Sequence, residues 1–294
     1  MAFENTFLDW VRSQQRQSDT VLLPASDDLA ILRFPDGELV LPGIDQVLDG
    51  VHFDLAACGP EAAGRKAMNR NLSDCAAMAC LPATALVSVA LPRGTSMELA
   101  QAIYAGARDA GLAFDCPIVG GDTGTWAGPL SITVAVLGRS AGVTPVRRSG
   151  AKAGDGVYVT GPLGGSIFGR HLSFTPRVRE ARALIAAHAI TAMMDLSDGL
   201  ASDLPRLCAA SGVGAVLDAA AVPVHADVAR HTDGRSPLDH ALGDGEDYEL
   251  LFTAPGQANP PGAIRIGTIV DREGVWLDHA GRREPLCVAG YEHA

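Results

Sequence analysis

Six short segments concentrate carboxylates beside glycine or serine. They are Ser26-Asp27-Asp28, Ile44-Asp45, Asn71-Leu72-Ser73-Asp74, Gly120-Gly121-Asp122-Thr123, Asp195-Leu196-Ser197-Asp198-Gly199 and Gly245-Glu246-Asp247. Oxygen ligands suit hard cations such as magnesium, which keeps waters and bridges protein carboxylates to substrate phosphates. Gathered carboxylates repel and raise one another's pKa; bound cations remove that cost and make the place attractive to ATP. Glycine beside the acids lets the backbone approach phosphate oxygens. Taken singly, an Asp or Ser at such a position also serves as a helix cap or turn residue. Asp195, Ser197 and Asp198 together, with Gly199 behind them, are a costly way to build a turn alone. Gly120-Gly121-Asp122, after the apolar pair Ile118-Val119, reads as a phosphate loop at a strand end. No GxxxxGK[ST], GxGxxG or GxSxG pattern occurs, so the site is not a P-loop, a dinucleotide fingerprint or a hydrolase elbow.

The elements that must position these acids alternate. An amphipathic pattern predicts a helix over 3–17, followed by strands at 29–34 and 39–44 joined by the turn Pro35-Asp36-Gly37. A helix over 60–80, a strand over 84–91 and a helix over 96–111 follow, the last with Ser96 as N-cap and Gly111 as its stop. Residues 130–138 alternate like a strand. The stretch 139–156 breaks the composition with Gly, Pro and the basic residues Arg139, Arg147, Arg148 and Lys152. Strand 157–160, helices at 176–188 and 202–211, and strands at 214–218, 249–253, 264–270 and 274–278 then repeat the grammar. The expected class is α/β (α+β), in two α/β domains: residues 1–139, a linker over 140–152, and residues 153–294.

Bulk properties exclude several functions. Acids outnumber bases by 34 to 23, a net charge of −11, which is the wrong sign for holding nucleic-acid phosphates directly. The 47% of hydrophobic residues suffices for packed cores and argues against disorder. The six cysteines form no CxxC pair and read as small buried hydrophobes in a reducing cytoplasm. No signal-peptide apolar core and no run of about 18 apolar residues is present, so neither secretion nor a membrane partner is expected.

Seven segments in order, DDxAIL, DxxxxGVHF, KAxNxNLSDxAAM, GGDT…GPLSIT, RSGAKAGDxVYVTG, MDLSDGLASDL and GEDYELLF, resemble the thiamine-monophosphate kinase family of the aminoimidazole ribonucleotide synthetase superfamily. The likeness runs from about residue 20 to 293. It implies a homodimer whose N-terminal domains, which bind ATP and metal, join strands in a dimeric β-barrel, with C-terminal α/β domains closing over a cleft. It implies transfer of the ATP γ-phosphoryl group to thiamine monophosphate, assisted by several Mg2+ ions. On this resemblance Asp27, Asp28, Asp45, Asp74, Asp122, Asp195 and Asp198 are metal ligands. Asp122, Ser197 and Asp198 are catalytic, and Gly121, Asp122, Arg148 and Ser197 contact ATP phosphates. His52, Glu246 and Tyr291 contact the thiamine portion. His52 also fits a satisfied core histidine, Arg148 a solvated linker charge and Tyr291 core packing. The chain departs from the family pattern at Pro24-Ala25-Ser26, at Ile44, at Asp244-Gly245 and at Gly169-Arg170, where a family insertion is missing. Two alternatives therefore stay open: a related ATP-using enzyme acting on another small phosphorylated or amide substrate, and a nucleotide-binding module without turnover.

Overall fold

The computed structural model describes residues 21–23, 29–33 and 37–286. The helix expected over 3–17 lies outside them, as do Asp27, Asp28 and Tyr291. The first half contains β1 (Val21–Leu23), β2 (Ile31–Arg33), β3 (Leu39–Leu48), α1 (Leu55–Cys58), α2 (Pro60–Ala77), β4 (Leu81–Pro92), α3 (Met97–Leu112), β5 (Ile118–Trp126) and β6 (Ser131–Arg139). Its sheet has the order β1-β2-β3-β6-β4-β5. The second half contains β7 (Gly156–Val159), α4 (Arg170–Ser173), α5 (Val178–Ala187), β8 (Ala192–Asp195), α6 (Leu200–Ser211), β9 (Gly214–Asp218), α7 (Pro237–Gly243), β10 (Leu250–Ala254), β11 (Ile264–Val270), β12 (Gly274–His279) and β13 (Arg282–Pro285). Its sheet runs β13-β12-β9-β11-β7-β10-β8. Pairing is antiparallel except between β4 and β5 and between β9 and β12. The mixed α/β class expected from the sequence is present; among the described residues of the single chain the first sheet is open and does not close into a barrel.

β6 alternates buried and more exposed residues and β3 pairs with it along its whole length, so the two offer one face to bury. Leu41, Val47, Ile132, Val134 and Val136 supply that face, and α2 and α3 cover it with Ala63, Ala67, Met68, Leu72, Ile103 and Ala107. The two helices cross closely because glycine sits at the contact. A Cβ on Gly64 would lie 2.0 Å from the Ile103 carbonyl oxygen, and one on Gly106 would lie 2.0 Å from that of Glu61. On its other side α2 meets the second half: Ala76 joins Tyr158, Val178, Ala181, Met193 and Phe252 in a shared cluster. A helix covered on both sides should be apolar all round. Yet α2 buries Lys66, Asn69, Asn71 and Ser73, and those polar residues mark where it lines something other than core.

The structure corrects the phosphate loop expected after Val119. Gly120, Gly121 and Asp122 lie inside β5, which continues in register with β4 as far as Trp126. The physical reason is strand contact: a Cβ on Gly121 would come within 1.8 Å of the Val87 carbonyl oxygen, so only glycine allows that approach. Ser96 caps α3 as expected, accepting from the Leu99 amide at 3.2 Å. Gly111 stays inside the helix, where the Cys116 backbone leaves no room for a side chain. Helix α7 was not expected, although Ser236 and Asp239 form a full capping box at its start.

Replacing Gly106 by Ala should destabilise the protein by about 1–3 kcal/mol or more, because backbone rather than a flexible side chain stands in the way. Urea denaturation of the variant checks this; unchanged stability would show that α2 and α3 can separate freely.

Candidate functional site

The chemistry of the site starts from one ammonium. Lys66 projects from α2 with its side chain fully buried, and its Nζ lies 2.7 Å from Glu246 Oε1, 2.8 Å from His171 Nδ1 and 2.5 Å from the His52 carbonyl oxygen. Burial lowers the Lys66 pKa, and Glu246 opposes that shift. For Glu246, burial acts to raise the pKa, but hydrogen bonds from His171 and Lys66 outweigh it and hold the carboxyl at about 2. Glu246 is therefore a fixed anion at neutral pH, and Lys66 ties α2 to the loop that carries it.

That loop is built against its own backbone preferences. Glu246 and Tyr248 hold φ of 53° and 51°, the left-handed region that side chains avoid. The surroundings over-determine it, as at many functional sites. The Glu246 amide donates to the Ser197 carbonyl at 2.7 Å, and the Tyr248 amide donates to that of Leu196 at 2.9 Å. Leu196 donates back to Glu249. Thus Asp195-Leu196-Ser197-Asp198 at the end of β8 and Gly245-Glu246-Asp247-Tyr248 before β10 are zipped together. Asp247 accepts from the Gly164 amide at 2.9 Å and from Arg170 Nη2 at 2.6 Å; burial nevertheless pushes its carboxyl up to about 7. Arg170, which follows Gly169 directly, clamps this loop. Phe174 stacks on Tyr248 with ring centroids 4.0 Å apart.

Acids converge along the adjoining face of α2. Asp45 on β3 accepts from Arg70 Nε at 3.0 Å. Burial would lower the Arg70 pKa, but Tyr248, Asp45, Glu246 and Asp74 raise it overall. Asp195 is buried and accepts from Ser73 Oγ at 2.5 Å. The Asp198 amide donates to Asp203 Oδ2 at 3.0 Å, and the Asp198 carboxylate contacts Arg206. Asp203 is fully buried, and its pKa is raised well above the ordinary value by burial and by Asp198. A cavity of about 280 Å³ opens here, walled by Val51, His52, Arg70, Ser197, Asp198, His231, Glu246 and Tyr248.

The structure thus brings together Asp45, Asp74, Asp195, Ser197, Asp198, His52 and Glu246. The His52 ring accepts from the Leu48 amide at 3.0 Å and borders the cavity. Arg148 lies near enough to Arg206 to act on its charge. Asp122 and Gly121 stand apart. Asp45 belongs to the cross-strand row Asp45, Val134, Val87 and Gly121; Asp122 belongs to the next row, with Gln46, Thr133 and Ser88. Asp122 is exposed on the edge strand, away from the acids around Arg70. Sequence reasoning missed Lys66, Arg70, His171, Arg170, Tyr248 and Asp203. The signal was present for Lys66 and Arg70, which lie at helical spacing within a run otherwise rich in small residues.

Comparison with known proteins agrees over nearly the whole chain. The family model for AIR synthase related protein, N-terminal domain, matches residues 26–140, and the corresponding C-terminal domain model matches residues 149–275. A thiamine-monophosphate kinase of Rhodopirellula baltica is 39% identical, covering 93% of this chain and 91% of that protein. The thiamine-monophosphate kinase of Salmonella typhimurium is 36% identical, covering 98% and 95%. The solved structure of AaThiL complexed with AMPPCP and TMP superposes with a TM-score of 0.87 at 29% identity, covering 100% of this chain and 99% of that one.

The Glu246 carboxyl sits at about 2 against an ordinary 4.5, so its stabilising contribution is complete above pH 4.5 and is lost as the pH falls toward 2. Glu246→Gln should lower the unfolding free energy at pH 7 by on the order of 3 kcal/mol, and the gap to the parent should narrow as the pH falls through that window. Denaturant titrations at neutral and acid pH test this; a gap independent of pH would remove the ion pair as its cause.

Proposed function

The chain belongs to the thiamine-monophosphate kinase family of AIR synthase related proteins, and from that premise we propose that it transfers the γ-phosphoryl group of ATP to the phosphate of thiamine monophosphate, releasing ADP and thiamine diphosphate. The observation that carries this reading is the end-to-end likeness to a structure holding both AMPPCP and TMP, joined to a cavity bordered by the residues expected to meet the substrate.

The residues can perform such a transfer without a general base. The acceptor is already an anionic phosphate oxygen, so no proton has to be removed from it; catalysis reduces to alignment and charge neutralisation. The cavity joins an apolar wall of Val51, Ile167 and Tyr248 to the carboxylates of Glu246 and Asp198. That pairing suits a flat ring bearing a positive charge, as the thiazolium of thiamine does. Arg70 at the same wall is placed to meet phosphate, and Arg148 and Ser197 lie on the Asp198 side for the nucleotide. The oxygen-only donor set of Asp45, Asp74, Asp195 and Asp198 fits magnesium, and these side chains, with Asp27 and Asp28, would hold it. Bound there, Mg2+ supplies neutralisation of phosphate charge. Arg206 now occupies one Asp198 oxygen and is itself part-exposed, so it is free to yield that position to an incoming ion.

Two further features support a homodimer. Ile44 and Val119 are 69% and 64% exposed, and Leu86 and Leu137 lie close by on neighbouring strands of the same sheet. Among the described residues β5 is the edge strand of this sheet, nine residues long and open to solvent over nearly its whole length. A second copy covering this sheet would bury the apolar residues and build the dimeric β-barrel, and Asp122 and Gly121 would then serve that assembly's nucleotide site. We place the functional division as before: an ATP-, metal- and dimer-forming part over 1–139, a linker over 140–152, and a second domain over 153–294. The first sheet ends at Arg139 and the second begins at Gly156, which supports that division. No helix among the described residues is long and apolar enough to cross a membrane, and the five described cysteines are free, consistent with the cytoplasm as the compartment.

Incubation with ATP, Mg2+ and thiamine monophosphate should yield thiamine diphosphate, detected by chromatography. Asp198→Ala and Asp122→Ala should each lower the rate by ~100-fold or more while leaving the fold intact by circular dichroism. ATP binding without any thiamine diphosphate would overturn the kinase reading in favour of a binding module, and ATP hydrolysis stimulated by a different metabolite would favour a related enzyme.

A further inference from the structure

We propose that His231, Asp233 and His240 form a binding site for a divalent transition metal such as Zn2+, separate from the carboxylate site that serves the phosphates. One potential ligand atom from each residue lies within 4.8 Å of the others. The donor set is two imidazoles and one carboxylate, which suits zinc and its neighbours and does not suit magnesium. The three residues come from a short loop and from α7, so the fold, not a local turn alone, assembles them.

The hydrogen bonding around His240 carries the argument. Its ring is buried, with Nε2 3.1 Å from Asp233 Oδ1 and Nδ1 2.9 Å from Asp244 Oδ1. A neutral imidazole has one N–H, so it can donate to only one of these carboxylates and must turn a lone pair toward the other. The His231 ring stacks on it at 3.7 Å between centroids and points its own Nε2 at Asp244 Oδ2, 3.1 Å away. Protonating both rings would place two positive charges face to face. A metal ion between His240 Nε2, Asp233 and His231 resolves the conflict. It accepts the lone pair that His240 would otherwise aim at Asp233, and it neutralises that carboxylate. His240 Nδ1–H then donates to Asp244, the arrangement in which a carboxylate fixes the tautomer of a metal-bound histidine.

Asp244 is anchored for that supporting role. It accepts from the Gly165 amide at 2.8 Å and from Arg235 at 3.1 Å. It stands directly before the loop that carries Glu246. Asp233 is 48% exposed, which leaves an entry path for the ion. Both His231 and Asp244 border the cavity, so a bound ion would pin residues 231–240 against the wall of the substrate site.

The test is a metal titration of the full chain in an excess of Mg2+, which occupies the oxygen sites. Co2+ is the first probe, because nitrogen ligation at low coordination gives strong visible absorption that cobalt on carboxylates and water lacks; Zn2+ is the second, in competition with it. One equivalent of Co2+ should produce the absorption, and Zn2+ should abolish it. Asp233→Ala and His231→Gln should each weaken Zn2+ binding about tenfold or more, with folding checked by circular dichroism. Asp233 lies in an exposed loop, so its variant stays interpretable if the His231 variant misfolds. A titration without the absorption, or one unchanged in Asp233→Ala, would overturn the site.

Discussion

A buried ammonium needs a counter-charge, and most of this molecule's arrangement follows from giving Lys66 one. α2 lies between the two sheets and is covered on both sides, so its side chains have little access to water. Removing one partner of such a pair leaves an uncompensated buried charge, which costs several kcal/mol. Glu246 is brought to Lys66 with its own backbone at φ of 53°. That strain is held in place by the backbone bonds to Ser197 and Leu196, by Arg170 on Asp247 and by the stacking of Phe174 on Tyr248. The loops of the second half are thereby fixed relative to a helix of the first, and the cavity lies along that junction.

The same helix explains why acids can gather without unfolding the site. Arg70 is one turn along from Lys66 and lies beside Asp45 and Asp74, while Ser73 supports Asp195. α2 therefore carries two cations and a hydroxyl donor that offset part of the repulsion among the carboxylates before any metal is bound. The excess negative charge that remains is what an incoming cation meets.

Much of this was legible in the residues, and the failures have physical causes. The alternation in β6 and the capped start of α3 are local signals, and the structure has both. Lys66 stands at helical spacing from Arg70, but its importance depends on Glu246, 180 residues later, and no spacing rule predicts that meeting. Gly120 and Gly121 misled because glycine serves equally for approach to a phosphate and for approach to a neighbouring strand, and here the Val87 carbonyl claims Gly121. The distance of Asp122 from the other acids follows from the parity of strand rows, which cannot be known before the register is. α7 was overlooked although its capping box was visible, because a helix of seven residues leaves too little periodicity to register.

The open edge of the first sheet has a consequence for the life of the chain before it meets any partner. Among the described residues no strand pairs with the outer side of β5, which lies next to uncovered apolar side chains, the kind of edge on which nascent chains pair wrongly and precipitate. Its glycines at 120, 121 and 124 lower the strand's tendency to recruit extended segments, since they offer no side chain to pack and lose more freedom on pairing. Asp122 among them adds a charge that an intruding strand must desolvate. These residues act as gatekeepers of assembly: they make indiscriminate pairing unfavourable and leave the edge to a partner whose shape matches it along the full length.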